Sequence, residues 1–239
     1  MDDNQSEGAH SDNPTVLVTG ASRGIGIEFV RQWLARGSQV IACCRNPGSS
    51  SELSALLDRH PDQLRVMQAD VADERSVELM ASALGNTQID ILINNAGILT
   101  VETLDNLDFG ALLEQFKVNA LGALRVTHAL LGNLADGARI INMTSRMGSL
   151  DDNTSGGYYG YRMSKAALNM ATRSLAVDLK SRGIVVIAVH PGMVQTDMTR
   201  GFGMLTPEAS VAGINQVIDK LTLAQSGLFL HYQGTPLPW

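Results

Sequence analysis

Apolar runs of strand length alternate with stretches of helical period from residue 13 to residue 239. The strand-like runs cover 15–19, 39–43, 65–68, 89–94, 139–143, 185–189 and 228–230. Apolar positions recur three and four apart near 25–36, 51–59, 74–83, 109–131, 158–182 and 207–221, which predicts helices there. Strands that are apolar at nearly every position are buried on both faces, the pattern of a parallel sheet covered by helices on each side. No internal repeat, low-complexity block or second-domain linker interrupts the alternation. Residues 1–12 stand apart: they are polar and acidic, lack the apolar core of a signal peptide, and are predicted to form a disordered tail.

Between the first strand and the first helix lies Thr19-Gly20-Ala21-Ser22-Arg23-Gly24-Ile25-Gly26. Strand, glycine-rich turn and helix start are the parts of a phosphate cradle. The first helical N–H groups lack intrahelical partners and face the positive end of the helix dipole, so a pyrophosphate fits there. The expected fold is α/β: a single doubly wound Rossmann-type domain over 13–239, with a seven-stranded parallel sheet flanked by helices. Ligands of such sheets lie beyond the carboxyl ends of the strands. Residues with chemistry to offer cluster there: Cys44-Arg45, Asp70-Val71, Asn94-Asn95-Ala96-Gly97, Asn142 to Ser145, and Pro191-Gly192.

The long helix near 158–182 opens with Tyr161-Arg162-Met163-Ser164-Lys165. Residues four apart share a helical face, so Lys165 sits beside Tyr161 and its ammonium favours the phenolate form. Tyr158 and Tyr159 have no lysine at that spacing. Ser145 ends the fifth strand and faces the same crevice, where its hydroxyl can donate to a substrate carbonyl oxygen. Thr144 and Ser149 compete for that role, although strand alternation turns Thr144 to the other side. Asn119 falls mid-helix, where asparagine is unfavourable and ordinarily faces solvent.

A formal charge of −6 argues against a nucleic-acid or anionic-membrane surface. No run is long and apolar enough to span a bilayer. The two cysteines, Cys43 and Cys44, are neighbours on one strand, so no disulfide framework is expected and a cytoplasmic setting is. No metal site is expected. The helix near 158–182 carries apolar and small residues on more than one face, which predicts a homodimer or homotetramer.

Thr19-Gly20-x3-Gly24-x-Gly26, Asn94-Asn95-Ala96-Gly97, Asn119, Ser145, Tyr161-x3-Lys165 and Pro191-Gly192 together resemble the short-chain dehydrogenase/reductase family. The stretch 42–47 and the ending 226–239 are similar to its C-factor and sniffer-type carbonyl reductases. The resemblance implies Tyr161 as proton donor or acceptor, Ser145 as carbonyl ligand, and Lys165 as the group lowering the tyrosine pKa and binding nicotinamide ribose. Asn119 would hold a water linking Lys165 to solvent. Asp70 and Val71 would frame the adenine, with Asn95, Ala96 and Gly97 as its floor, and Val194 and Thr196 would meet the nicotinamide carboxamide.

NAD-dependent folds of this kind place an acid about 20 residues beyond the glycine loop. Here Cys44 and Arg45 stand in that region, and Arg23 lies in the loop itself. A guanidinium binds a 2′-phosphate that a carboxylate would repel, so the cofactor expected is NADP(H). The substrate expected is a small ketone, aldehyde or alcohol. A 3-oxoacyl thioester reductase is an alternative, and a non-enzymatic nucleotide-binding signalling protein of the C-factor type is another.

Overall fold

The computed structural model describes residues 13–239, and the tail expected at 1–12 lies outside the described residues. β1 (Thr15–Thr19) forms the middle of the sheet, pairing on one side with β2 (Gln39–Cys44) and on the other with β4 (Ile89–Asn94). β3 (Leu64–Gln68) flanks β2, while β5 (Leu134–Met143), β6 (Val185–His190) and β7 (Phe229–His231) follow β4 outward. All seven strands are parallel, in the order β3-β2-β1-β4-β5-β6-β7. The expected doubly wound sheet is therefore present. The strand order reverses between β1 and β4, which opens a crevice at their carboxyl ends.

Alternate residues of each strand feed two separate cores. Val16 and Val18 pack with Phe29, Val30 and Trp33 of α1 (Gly24–Ala35) and with Val211, Ile214 and Ile218 of α7 (Pro207–Asp219). Leu17, one residue apart, turns to the other face with Val77 and Met80 of α3 (Glu74–Leu84). That second core also takes in Val126 of α5 (Gly122–Ala129) and Ala176 of α6 (Tyr159–Asp178). α2 (Ser51–Arg59) closes the first layer through Leu53 and Leu56, and α4 (Phe109–Phe116) runs up to α5. A strand whose every side chain is buried needs helices on both sides, and the crossovers supply them.

Two elements differ from the sequence reading. The helix expected over 109–131 is divided by a π turn, Lys117–Leu121, so the helix carrying Tyr161 is the sixth. Within that turn the Asn119 side chain grips the Ile98 backbone from both sides. Its Oδ1 accepts from Ile98 N at 2.8 Å and its Nδ2 donates to Ile98 O at 2.9 Å. A wide turn aims this side chain into the protein, where an asparagine in a regular helix ordinarily faces solvent. β5 also starts five residues early, because its pairing with β4 shifts register between Ile89 and Ile91.

The β1–β4 junction is stitched by one hydroxyl and one amide. Thr19 Oγ1 accepts from Asn95 N at 3.0 Å and Ala96 N at 3.1 Å, while Asn95 Nδ2 donates to the carbonyls of Thr19 and Gly20 at 3.0 and 3.2 Å. Thr19→Val keeps the shape and removes that acceptor from a buried site. It is expected to cost about 1–3 kcal/mol in chemical denaturation. A loss below about 0.5 kcal/mol would show that the hydroxyl does not hold the junction.

Candidate active site

The glycine loop is built for close approach. A Cβ on Gly26 would collide with the Gly20 carbonyl oxygen and lie 2.6 Å from Asn95 Nδ2, and one on Gly20 would lie 2.8 Å from Ala96 Cα. The start of α1 is thereby drawn against the ends of β1 and β4. The Ser22 carbonyl oxygen accepts from Ser50 Oγ at 2.7 Å, tying the loop to the N-terminus of α2. Gly24 and Ile25 open α1, and the nearest foreign atom to a Cβ at Gly24 is Thr196 Cγ2 at 3.5 Å. The segment after β6 thus reaches across the crevice to the glycine loop.

Around this cradle stand the other candidates. Asp70 is half-buried and holds Ala72 N through Oδ1 at 2.9 Å. Val71 is buried, packed where a Cβ on Gly122 would be 2.9 Å from it. Pro191 accepts from Ser210 Oγ at 2.7 Å, Gly192 lies against Leu205 and Tyr232, and Val194 is buried. Cys44 is buried at the end of β2, and burial raises the pKa of its thiol. Arg45 next to it is exposed and makes no hydrogen bond or ion pair among the described residues. Arg23 is exposed as well, and its Nη1 lies 3.5 Å from Oδ2 of Asp197. Asp197, a partner the sequence reading missed, belongs to the segment that crosses the crevice.

Ser145, Tyr161, Lys165 and Asn119 come together on the β5 side. Tyr161 is buried at 8% exposure and Lys165 at 4%. Lys165 Nζ donates to Met143 O at 2.8 Å and lies 5.7 Å from the centre of the Tyr161 ring. A Cβ on Gly97 would be 3.3 Å from Asn119 Oδ1 and 3.6 Å from Lys165 Nζ, so the end of β4 roofs the same space. Ser164, not singled out in the sequence, completes the cluster. Its hydroxyl accepts from Asn119 Nδ2 at 3.0 Å and donates to Tyr161 O at 2.8 Å. The two competitors of Ser145 are committed elsewhere: Thr144 Oγ1 donates to Asn169 Oδ1 at 2.8 Å, and Ser149 Oγ caps Asp152 N at 3.1 Å.

One expectation is corrected here. The tyrosine pKa was expected to fall, but burial pushes it up to about 12, and only the facing Ser145 hydroxyl works the other way. Burial also pushes Lys165 down, to about 8. Burial is the first cause of both shifts, because each charged form loses water.

A doubly wound parallel sheet, a glycine cradle at its reversal point and a Ser-Tyr-Lys cluster beside it define a nucleotide-binding oxidoreductase. Residues 14–204 match the short chain dehydrogenase family, and the chain belongs to that family. It is 40% identical over 231 residues to 1-hydroxy-2-glutathionyl-2-methyl-3-butene dehydrogenase of Rhodococcus sp. (strain AD45), covering 94% of this chain and 99% of that protein. It is 51% identical over 154 residues to C-signal of Myxococcus xanthus, covering 63% of this chain and 93% of that protein. The solved structure of NADPH bound carbonyl reductase from chicken fatty liver superposes with a TM-score of 0.89 at 36% identity, over 96% of this chain and 100% of that one.

The lowered Lys165 pKa has a consequence for stability. Between about 8 and the unfolded value of 10.5 the unfolded chain binds the extra proton, so folding gains stability as pH rises through that window and loses it as pH falls through about 8. Wild type should therefore gain on Lys165→Met between pH 8 and 10, by about 3 kcal/mol at most. Parallel stability curves for the two proteins would mean that Lys165 titrates as if solvated.

Proposed function

We propose that this chain is an NADPH-dependent carbonyl reductase that converts ketones or aldehydes to alcohols and catalyses the reverse oxidation. The observation that carries the proposal is the buried Tyr161 phenol facing Ser145, with Lys165 one helical turn on. The cradle fits the dinucleotide. Gly20 and Gly26 leave no room for a side chain, and the end of β2 offers an unpartnered Arg45 where an NAD site would have an acid. Gly20, Ser22, Gly24, Ile25 and Gly26 would hold the pyrophosphate and Arg45 with Arg23 the 2′-phosphate. Asp70, Val71 and Asn95 to Gly97 would flank the adenine, and Pro191, Gly192, Val194 and Thr196 the nicotinamide end.

The bound cofactor supplies the hydride. Ser145 donates a hydrogen bond to the carbonyl oxygen and favours the negative charge that develops there. Tyr161 remains protonated at neutral pH because burial holds its pKa near 12, so it carries the proton the alkoxide needs. Lys165 is charged below about 8 and offsets the phenolate that proton transfer leaves. Asn119 would hold a water between Lys165 and solvent. A cytoplasmic setting fits two neighbouring free cysteines on β2. The C-signal likeness favours a second reading, a nucleotide-binding protein that signals without turnover.

Tyr161→Phe is expected to keep NADPH affinity and lose about 10²–10⁴-fold in kcat. Near-normal kcat in that variant would sink the assignment, and no turnover in wild type would favour the signalling reading. Wild type should bind NADPH more tightly than NADH in fluorescence titration, and Arg45→Ala should remove most of the difference. Equal affinities in wild type would show that neither arginine reads the phosphate. A homodimer or homotetramer is also proposed, because Met163, Met170 and Val177 form an exposed stripe at seven-residue spacing along α6. Light scattering at micromolar protein should then give a multiple of the monomer mass, and a monomer would refute it.

A further inference from the structure

α6 begins without a cap of its own. Its N-cap residue, Tyr158, makes no side-chain capping bond, and no acidic residue lies in the first turn. The chain enters it through three consecutive residues at positive φ: Gly156 at 65°, Gly157 at 64° and Tyr158 at 52°. A tyrosine held there is strained, and the free N–H groups of a helix start need partners. Both demands are met from a distant segment. Tyr158 N donates to the backbone oxygen of Glu102 at 2.8 Å, and Gly160 N points at the same residue's Oε2 at 3.4 Å.

Glu102 is 3% exposed, in the connection between β4 and α4, and makes no ion pair among the described residues. Its carboxyl group faces donors only. Besides Gly160 N, the Thr100 hydroxyl donates to Oε1, as does Gln115 Nε2 at 2.5 Å. Three donors thus converge on this one carboxyl group, which lies at the positive end of the α6 dipole. Gln115, on α4, is fully buried, and its Oε1 accepts from Thr100 N at 3.0 Å. The next residue in line is Gly160, where a Cβ would collide with Gln115 Nε2. α4, the 98–102 segment and the first turn of α6 are therefore locked around one carboxylate.

We propose that Glu102 is a positioning residue for Tyr161: it supplies the missing cap of α6 from outside the helix and fixes the first turn against β5. Tyr161 follows Gly160 directly, whereas Ser145 lies two residues past the end of β5, at the start of the turn Arg146–Gly148. An error in the placement of the first turn of α6 thus appears as a misfit between the phenol and the Ser145 hydroxyl. The same 98–102 segment is pinned at its other end by Asn119, which grips Ile98. The proposal rests on Tyr161 as proton donor for its kinetic consequence, but the cap itself can be read without turnover.

The test compares wild type, Glu102→Gln, Glu102→Asp and the double exchange Glu102→Gln with Gln115→Glu. A glutamine at 102 has one oxygen for three donors, so Gly160 or the Thr100–Gln115 pair loses its acceptor. The double exchange returns the carboxylate to the pair and leaves the glutamine oxygen for Gly160. Amide hydrogen exchange should speed up in Glu102→Gln by about tenfold or more at residues 159–162, with the second half of α6 unchanged. Its kcat for carbonyl reduction should fall by about 10- to 100-fold, with the NADPH dissociation constant within about twofold of wild type. The double exchange should recover most of both.

Unchanged exchange at 159–162 would overturn the cap. Faster exchange with normal kcat, in an enzyme that loses activity as Tyr161→Phe, would overturn the positioning role. A parallel loss of kcat, NADPH binding and melting temperature without rescue would reduce Glu102 to general stability. If Glu102→Gln does not fold, Glu102→Asp keeps the acceptor one methylene short. It should then show the kcat loss with NADPH affinity retained, and wild-type kcat there would overturn the proposal.

Discussion

The structure depends on how closely the first turn of α1 approaches the ends of β1 and β4. Gly26 sits against the Gly20 carbonyl oxygen, Gly20 against Ala96, and Asn95 spans the two strands through the Thr19 and Gly20 carbonyls. Any side chain at Gly20 or Gly26 would push the helix away from the sheet. That contact sets the width of the crevice and aims the helix N–H groups into it. It also brings the 95–97 segment over Lys165 and Asn119, so the cradle and the Ser-Tyr-Lys cluster share one wall.

Burial is the second constraint, and it acts on chemistry more than on folding. A phenol raised to about 12 and an amine lowered to about 8 are consequences of the same dry space. A buried phenol that keeps its proton suits carbonyl reduction, in which a proton must be given up to an alkoxide. The polar groups that line this space hold one another and the nearby backbone. Asn119 holds Ile98 and Ser164, Ser164 holds Tyr161, and Lys165 holds Met143, so the geometry is fixed before a substrate arrives.

Much of this was legible in the chain because it is local. The glycine loop, the strand-end clusters and the Tyr-x3-Lys spacing each lie within a few residues of sequence, and the sheet order follows from crossover handedness. Asn119 was legible only through family resemblance. Its helical period hid a π turn that aims it inward. Three features were out of reach for a common reason. The Arg23–Asp197 pair, the Asn119–Ser164 bond and the Glu102 clamp on α6 join residues between 45 and 174 positions apart or bury a charge that composition counts as surface. The raised pKa of Tyr161 is not legible in the chain, because spacing reports a neighbouring charge but not the loss of water around the phenol.

The central claim is that a protonated Tyr161 and NADPH together reduce a carbonyl group in this crevice. The most direct test follows the oxidation of NADPH by the wild-type protein over a panel of activated ketones and aldehydes, with the alcohol quantified in the same samples. One alcohol formed per NADPH consumed, at a rate well above the protein-free control, is the predicted result. NADPH left unconsumed across the whole panel, in a protein that binds it, would contradict the claim.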